Sequence, residues 1–410
     1  MPIRAVVVGV GGRGSGAGAN FQEAVSNLGV DGKIIGIGDL FPENASKGGR
    51  LFNVPEERCF SGFGAYKKAI NLPEVNYVIL ATPPGFRAPM FKACVEAGKN
   101  VFMEKPVAVD GPTARTMYAA ADLSKEKNLK VAAGTQRRHQ AGYIETIKRI
   151  HDGAIGDVVT LRVYWVNGGP IWHYGDPGEP LSHYGQQVGD TDLEKQLNNW
   201  YHYIWLCGDH ICEQHVHNLD VGNWIMQDHP VRCWAMGGRQ QLGNKSGEIW
   251  DGFGVEYEYP NGVHMFSYCG QIHRDWARVD EGVEGTEGTA IPSNFIRAHG
   301  GWTYRFREQQ RNPYVQEHMD LIDAIQNDKD LNQARQVTDS TVTAIMGREA
   351  GYSGAAVEFD EVVNSTFQYG PEQLLSDCSA MEFGPFRTLV PPMPSEHNIF
   401  KDPPIIAVKG

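Results

Sequence analysis

The segment between Asp209 and Asp220 concentrates side chains that can donate or accept protons. On a helical projection at about 100° per residue, its polar side chains fall on one arc roughly 120° wide: His210, Glu213, Gln214, His217 and Asp220. The opposite face is apolar, which predicts packing on a sheet: Cys212, Val216, Leu219 and Met226. A merely solvated face usually mixes in lysine and arginine, yet neither occurs between Asp209 and Met226. The pattern therefore predicts one helix that presents a functional site.

A glycine-rich turn near the start of the chain predicts a nucleotide site. The β-branched run Ile3–Val8 is typical of a buried parallel strand and leads straight into GVGGRG at residues 9–14. In this G-x-G-x-x-G pattern, Gly9 makes the tight turn, Gly11 lets the backbone approach a pyrophosphate, and Gly14 lets the next helix pack closely. The phosphates would then meet the free N–H groups at the start of that helix.

Asp39 supports this interpretation of the turn. It ends the next apolar run, Lys33–Asp39, about 25 residues past the glycines, where the dinucleotide fingerprint expects an acid. A carboxylate at this place accepts hydrogen bonds from the ribose hydroxyls and repels a 2′-phosphate, which favours NAD over NADP. Arg13 is a cation within the turn and would weaken that preference.

Further strand and helix units extend this first domain. Strands are predicted over residues 75–81, 100–103 and 129–133, and helices over 87–97 and 112–127. Such alternation predicts a parallel sheet with right-handed crossovers. Ligands bind such sheets at the carboxyl ends of the strands, where Thr82 and the Glu104-Lys105-Pro106 segment fall.

The pattern changes after about residue 135. Strands with alternating character are predicted over 158–164, 231–236, 254–259 and 263–268, with a hairpin turn at 260–262 and helices over 143–152, 315–327 and 338–350. We therefore predict a Rossmann domain with a doubly wound parallel sheet over 1–135. An α/β domain with a large open, mainly antiparallel sheet should follow over 136–366, for substrate binding and oligomerisation. Residues 367–410 form a proline-rich extension expected to lie extended over a surface, such as that of a partner subunit.

Bulk properties exclude several classes of protein. The chain has 410 residues, too many for one ordinary core, and a formal charge of −12, which argues against nucleic acid and anionic membranes as partners. No apolar stretch approaches the roughly 20 residues of a membrane span. The seven cysteines are odd in number and form no C-x-x-C, which indicates reduced thiols. With a first strand that begins almost at Met1, this predicts a cytoplasmic protein without a signal peptide.

Four segments together resemble the Gfo/Idh/MocA oxidoreductases. They are GVGGRG at 9–14, AGKNVFMEKP at 97–106, GAIGDVVTLRV at 153–163 and the Glu213-x-x-x-His217-x-x-Asp220 pattern. The resemblance covers most of the chain and weakens over 168–199 and in the tail. It implies a Rossmann domain followed by an open-faced α/β domain, with NAD-dependent redox chemistry on sugars and polyols. The usual first acid of the family pattern is aspartate, so Glu213 carries its carboxylate one methylene further out.

The resemblance also implies roles for individual residues. Oxidation of an alcohol releases a hydride to nicotinamide and a proton from the hydroxyl, and a histidine with a near-neutral pKa can take that proton. By resemblance His217 is this proton acceptor, Lys105 stabilises developing alkoxide charge, and Asp220 lines the substrate pocket. The predicted catalytic residues are Lys105, Glu213 and His217.

The remaining predictions name the ligand contacts. The predicted NAD-binding residues are Gly9, Gly11, Gly12, Arg13, Gly14, Asp39, Thr82, Pro83, Glu104 and Lys105. The predicted substrate residues are Arg138, His173, His210, Glu213, His217 and Asp220. Aromatic side chains near His173 and Trp200 suit a carbohydrate pocket and suit plain loop packing equally well.

The leading interpretation is an NAD-dependent oxidoreductase that acts on a secondary hydroxyl or keto group of a sugar, polyol or glycoside. The alternative is a glycosidase whose tightly held NAD is recycled through oxidation, elimination and reduction. A divalent metal on His210, Glu213 and His217 is a third interpretation, disfavoured because the family typically needs no metal. A non-catalytic NAD sensor is disfavoured by the intact Lys105 and His217. We expect a small carbohydrate or glycoside as partner and, by resemblance, a homodimer or homotetramer.

Overall fold

A computed structural model describes residues 1–167, 188–242, 247–272 and 276–409. Its first sheet has six strands in the order β3-β2-β1-β4-β5-β6. All neighbouring pairs are parallel, over the following ranges: β1 Ile3–Val8, β2 Gly32–Asp39, β3 Cys59–Ser61, β4 Tyr77–Leu80, β5 Asn100–Met103 and β6 Val131–Ala133. Every residue of β4 and β6 is buried, which explains their unbroken apolar sequence. The predicted doubly wound sheet is confirmed.

Helices connect these strands on both faces of the sheet. They are α1 Gly12–Leu28, α2 Pro42–Phe52, α3 Ala65–Ile70, α4 Arg87–Glu96 and α5 Gly111–Glu126. The turn between β1 and α1 depends on two glycines: Gly9 has a φ of 84°, and a Cβ on Gly14 would lie 1.7 Å from the carbonyl oxygen of Gly9. Only glycine therefore allows α1 to approach the end of β1 so closely.

The second sheet has nine strands in the order β14-β13-β12-β11-β7-β10-β9-β8-β15. Their ranges are β7 Val158–Val166, β8 Arg232–Gly238, β9 Gly252–Glu258, β10 His264–Gly270, β11 Arg278–Gly285, β12 Gly288–Ile291, β13 Phe295–Ala298, β14 Thr303–Arg305 and β15 Val357–Glu358. The β7–β10 pair is parallel and the other pairs are antiparallel, so the predicted mainly antiparallel sheet is confirmed. The predicted hairpin joins β9 to β10, where the Tyr259 N–H donates to the Val263 carbonyl over 2.9 Å.

Helices cover one face of this sheet and one face of the first. They are α6 Ala141–His151, α7 Asp192–Asn198, α8 Ile204–Cys207, α9 His210–Glu213, α10 Val216–Met226, α11 Pro313–Asn327, α12 Ala334–Ser353, α13 Phe359–Asn364 and α14 Gln373–Asp377. The long helix α12 packs on α10 and β8, whereas α11 returns to the first sheet and packs on α1. No helix in the described parts of the chain combines the length and apolar character needed to cross a bilayer.

The tail beyond residue 367 packs on its own chain. The Tyr369 hydroxyl donates to the buried Glu349 carboxylate over 2.9 Å, and the Trp250 indole N–H donates to the Pro392 carbonyl over 2.8 Å. The tail also contains the short helix α14, and Leu374 and Leu389 are buried. The tail thus covers a surface as predicted, and that surface belongs to the same chain.

A buried ion pair joins the end of the first sheet to the second domain. Asp220 on α10 accepts two hydrogen bonds from the Arg138 guanidinium, at 2.8 and 3.1 Å. Gln336 and Ser340 on α12 each donate to the same carboxylate over 2.8 Å. Because Asp220 is only 1% exposed, these four hydrogen bonds replace its hydration.

Gly14→Ala should destabilise the fold because the new methyl group meets backbone that has no room to move. We expect a loss of about 1–3 kcal/mol or more in the free energy of unfolding, measured by chemical denaturation without cofactor. Gly12→Ala is the matched control, since a Cβ at Gly12 meets no atom within 4 Å. Equal stability of the two variants would contradict the close approach of α1 to the strand.

Asp220→Ala should lower the free energy of unfolding by about 3–5 kcal/mol, because it leaves the Arg138 charge buried without its partner. Asp280→Ala is the control: Asp280 pairs with Arg278 over 2.8 Å with both side chains 41% exposed, so it should cost at most about 1 kcal/mol. An Asp220→Ala protein of parental stability that fails only in turnover would favour the predicted substrate contact instead.

Candidate active site

A cavity lies at the carboxyl ends of β1, β2 and β4. Predicted NAD-binding residues line it: Gly9, Gly11, Asp39, Thr82 and Pro83. Other lining side chains were missed from the sequence, among them Phe41, Asn44, Phe63, Phe86 and Leu197. Trp200, which the sequence offered as a candidate carbohydrate contact, also lines this cavity. The missed residues come from loops, from the start of α2 and from α7, whose approach depends on tertiary packing.

The start of α1 is open and fits an anionic group. In the described parts of the chain no side chain caps this helix, and a Cβ placed on Gly11 or Gly12 meets no atom within 4 Å. The first N–H groups of the helix thus face free space next to the cavity, as a pyrophosphate requires. Gly12, Arg13 and Gly14 form the first residues of the helix, as the predicted fingerprint needs.

Asp39 holds the loops around the cavity. Its carboxylate accepts hydrogen bonds from the N–H groups of Val10 at 2.7 Å and Phe41 at 2.9 Å, and from the Asn44 amide at 3.3 Å. Burial raises the pKa of this carboxyl, while the N–H donors act in the opposite direction. The carboxylate thereby ties the glycine turn to the start of α2.

Arg13 points towards buried acids. Its Nε donates to Glu104, and its guanidinium carbon lies 4.8 Å from the centre of the Tyr314 ring. Its Nη2 is 3.8 Å from Glu317 on α11, a fully buried acid whose pKa burial holds well above the ordinary value. The structure thus brings Arg13 and Glu104 together, and their contact with NAD stays a prediction.

Lys105 and Glu213 form an ion pair between the two domains. Lys105 leaves the carboxyl end of β5 and its Nζ lies 3.0 Å from Glu213 Oε1 on α9, with side chains only 10% and 7% exposed. Lys105 also donates to the Glu213 carbonyl oxygen, and Gln214 donates to the second carboxylate oxygen. Burial raises the pKa of Glu213, and the Lys105 charge opposes that shift.

Arg87 connects this ion pair with the cavity, and sequence reasoning missed it. Its Nη2 donates to the Thr82 carbonyl over 2.6 Å. Burial lowers the pKa of Arg87 to about 10, while the negative charges of Glu104 and Glu213 act against that shift. Its place in the first turn of α4, five residues after Thr82, is the only signal the sequence offers.

The predicted single helix around Glu213 is wrong. The structure has α9 ending at Glu213 and α10 beginning at Val216, with a turn between them. In this turn His215 is buried and its Nε2 lies 2.7 Å from the Ser267 hydroxyl on β10. A buried imidazole needs such a partner, and the break lets His215 face the sheet while Glu213 faces Lys105.

His217 lies in the first turn of α10 with its ring against Trp165. The ring centres are 5.7 Å apart and the planes differ by 23°. Burial lowers the pKa of His217 well below its ordinary value, and the charge of Lys105 lowers it further. A neutral imidazole results, and its buried Nδ1 has no hydrogen-bond partner among the residues that the structure describes. Arg137, which pairs with Glu281 over 2.6 Å, lies 5.8 Å from the Trp165 ring centre.

The other predicted substrate residues lie apart from this group or outside the described residues. His210 pairs with Asp209 over 3.1 Å; burial opposes its protonation, yet Cys269 and Asp209 raise its pKa to about 10. Arg138 and Asp220 bind each other, so their substrate contacts stay predictions, and His173 lies outside the described residues. Within those residues no group of three His, Cys, Asp or Glu side chains is placed to hold a metal ion.

Comparison with curated proteins identifies relatives among carbohydrate dehydrogenases. The chain is 26% identical over 212 residues to a levoglucosan dehydrogenase of Pseudarthrobacter phenanthrenivorans, covering 52% of this chain and 50% of the relative. It is 23% identical over 227 residues to an inositol 2-dehydrogenase of Gluconacetobacter diazotrophicus, covering 55% and 56%. The chain thus spans about half the length of the curated relatives it matches.

Solved structures share the fold over most of the chain. A levoglucosan dehydrogenase in complex with NADH and levoglucosan matches with a TM-score of 0.68 and 17% identity, covering 88% of this chain and all of the other. An aldose-aldose oxidoreductase from Caulobacter crescentus, in complex with glycerol, matches with a TM-score of 0.66 and 21% identity, covering 87% and 100%. At this identity the likeness establishes the fold of both sheets.

A family model accounts for the cofactor. Residues 3–135 match the Gfo/Idh/MocA model, described as an oxidoreductase family with an NAD-binding Rossmann fold. This match agrees with the open helix start, the Asp39 carboxylate and the cavity between them. The predicted NAD cofactor is confirmed, and so is the predicted resemblance to the Gfo/Idh/MocA oxidoreductases, which the family model carries over residues 3–135.

Proposed function

We propose that the protein is an NAD-dependent dehydrogenase that oxidises a secondary hydroxyl group of a sugar, polyol or glycoside, or reduces the corresponding ketone. The observation that carries this proposal is the Lys105–Glu213 ion pair, at 3.0 Å, beside a neutral His217. These side chains supply a cation and a proton acceptor at the sheet edge that holds the cofactor cavity. The names of the relatives, levoglucosan and inositol dehydrogenases, support a carbohydrate substrate.

The side chains of this site have separate roles in proton transfer and charge stabilisation. Bound NAD supplies the hydride acceptor. His217 takes the hydroxyl proton, because burial and the Lys105 charge keep its imidazole neutral and free to accept it. The Lys105 ammonium group stabilises the negative charge that develops on the substrate oxygen. Glu213 and Gln214 hold that ammonium group in place through the bonds described above.

Trp165 gives this site a flat wall. Its ring stacks on His217 on one side and meets the Arg137 guanidinium near 5.8 Å. An aromatic plane beside a proton acceptor suits the apolar face of a pyranose ring, which presents C–H groups to it. A neutral polyol does not need the positive charge of Arg137. Glu281 pairs with that charge, which agrees with a neutral substrate.

His217→Gln should lower kcat by about 10²–10⁴-fold, the usual contribution of a general base, and leave NAD affinity within a few-fold of the parent. His264→Gln is the matched control, since His264 lies on β10 and pairs with Glu256 over 2.7 Å. In the parent, kcat/KM should fall only as the pH drops below 6.5, because protonation of His217 removes the base and its pKa is lowered. A His217→Gln protein with parental kcat would refute the assignment.

Net formation of NADH distinguishes a dehydrogenase from a glycosidase that recycles its bound NAD. A panel of sugars, polyols and aryl glycosides is assayed with added NAD for NADH and without it for released aglycone. We expect NADH to rise in a one-to-one ratio with oxidised product. Aglycone release without added NAD and without net NADH would instead establish the glycosidase reaction.

We further propose that two copies pair through the outer face of the second sheet. Met236, Gly254, Tyr268 and Tyr164 lie in register across four neighbouring strands, and Met236 is 83% exposed. An apolar row on an open sheet favours association with an identical row, because both rows leave water.

Met236→Asp should therefore yield monomers in light scattering at concentrations where the parent forms dimers or tetramers. Met393→Asp is the control, because this tail methionine is 58% exposed and lies away from the sheet face. A parent protein that is monomeric at 50 µM, on the order of a typical assay stock, would contradict the proposal.

A further inference from the structure

We propose that residues 377–388, here called the strap, brace the walls of the binding site for the adenosine half of NAD and slow release of the cofactor. The strap belongs to the tail, which the sequence pattern left without a function. It touches three separate walls of the cofactor cavity, as the contacts below describe. The inference rests on the NAD cofactor and is independent of the proposed substrate.

The first wall is aromatic. Phe41 and Phe63 line the cavity, and the strap's Phe383 packs on both of them. The ring centres of Phe383 and Phe41 are 6.4 Å apart with planes differing by 20°, and those of Phe383 and Phe63 are 5.3 Å apart. Phe41 donates its N–H to Asp39, the acid that faces the ribose in this fold. The aromatic cluster therefore lies at the adenosine end, where a base can stack on a ring.

The second wall is α3. Asp377 pairs with Lys67 over 2.8 Å, and the Cys378 thiol donates to the Tyr66 hydroxyl over 3.4 Å. Tyr66 itself lines the cavity, one residue before Lys67. The beginning of the strap is thus fixed to the Rossmann domain on the side of its cofactor cavity.

The third wall is the segment around α7. Leu197 and Trp200 of this segment line the cavity. The strap binds the segment at two points: the Leu193 N–H donates to the Gly384 carbonyl over 3.1 Å, and the Gln196 amide donates to Thr388 over 3.2 Å. The strap therefore holds α7 against the Rossmann loops.

Together these contacts hold three parts of the chain around one cavity, an arrangement here called the clasp. Residues from the Rossmann domain, from the α7 segment and from the tail meet around one cavity, although they are far apart in sequence. An adenosine group in this cavity leaves when the phenylalanine wall and the α7 segment move apart, and Phe383 holds Phe41 and Phe63 in place from behind. Phe383 is 41% exposed, so its removal opens the clasp without making a cavity in the core. The strap thus predicts slow exchange of NAD.

The test uses the full-length protein and measures NADH dissociation by stopped-flow fluorescence, with excess NAD as the displacing ligand. We expect Phe383→Ala to raise the dissociation rate at least tenfold and to weaken ADP-ribose binding by a similar factor. Binding of nicotinamide mononucleotide should stay within twofold of the parent. Met393→Ala, an exposed tail variant, should match the parent in all three measurements. A Phe383→Ala dissociation rate within twofold of the parent overturns the proposal.

A second measurement needs no variant. Limited proteolysis of the parent protein, followed by mass spectrometry, reports cleavage within residues 377–388. Saturating NAD should slow this cleavage at least tenfold, while cleavage elsewhere in the tail is unaffected. Equal cleavage with and without NAD overturns the proposal. Neither measurement contains a substrate, so a failure of the proposed dehydrogenase activity would leave both results intact.

Discussion

The ion pair between Lys105 and Glu213 is the interaction on which the rest of the site depends. It joins the end of a strand in the first sheet to a helix that packs on the second, with both side chains almost fully buried. Two charges removed from water must satisfy each other, and loss of one leaves the other uncompensated at a cost of about 3–5 kcal/mol. The pair therefore holds the two domains together. Burial lowers the pKa of the neighbouring His217 imidazole, and the Lys105 charge lowers it further, so the imidazole is neutral.

The interrupted helix explains how one short segment meets three different demands. Glu213 must face the lysine, His215 must reach the sheet, and His217 must lie against Trp165. A regular helix separates consecutive side chains by about 100°, which fixes their directions relative to one another. The turn between α9 and α10 removes that restriction. Each of the three side chains therefore reaches its own partner, and the buried Glu213 carboxylate stays paired.

Local sequence predicted the parts of this molecule that local physics controls. The glycine turn, Asp39, the parallel strands and the β9–β10 hairpin follow from backbone sterics and periodicity, and the structure has them where the patterns indicated. The break before Val216 did not follow, because the partner that favours it, Ser267, is remote in sequence. The same reason applies to Arg138 with Asp220 and to the tail, whose contacts bridge residues up to about 300 positions apart. Contacts between residues so far apart leave no periodic pattern in the sequence.

The most direct test of the account follows the transferred hydrogen itself. The protein is incubated with NAD and a pool of sugars and polyols that carry deuterium on their ring carbons, and the nicotinamide is isolated for mass spectrometry. We predict one deuterium in the reduced nicotinamide for each ketone formed, with none when water alone is deuterated. Product that forms while the nicotinamide stays free of deuterium would contradict hydride transfer at the site of Lys105 and His217.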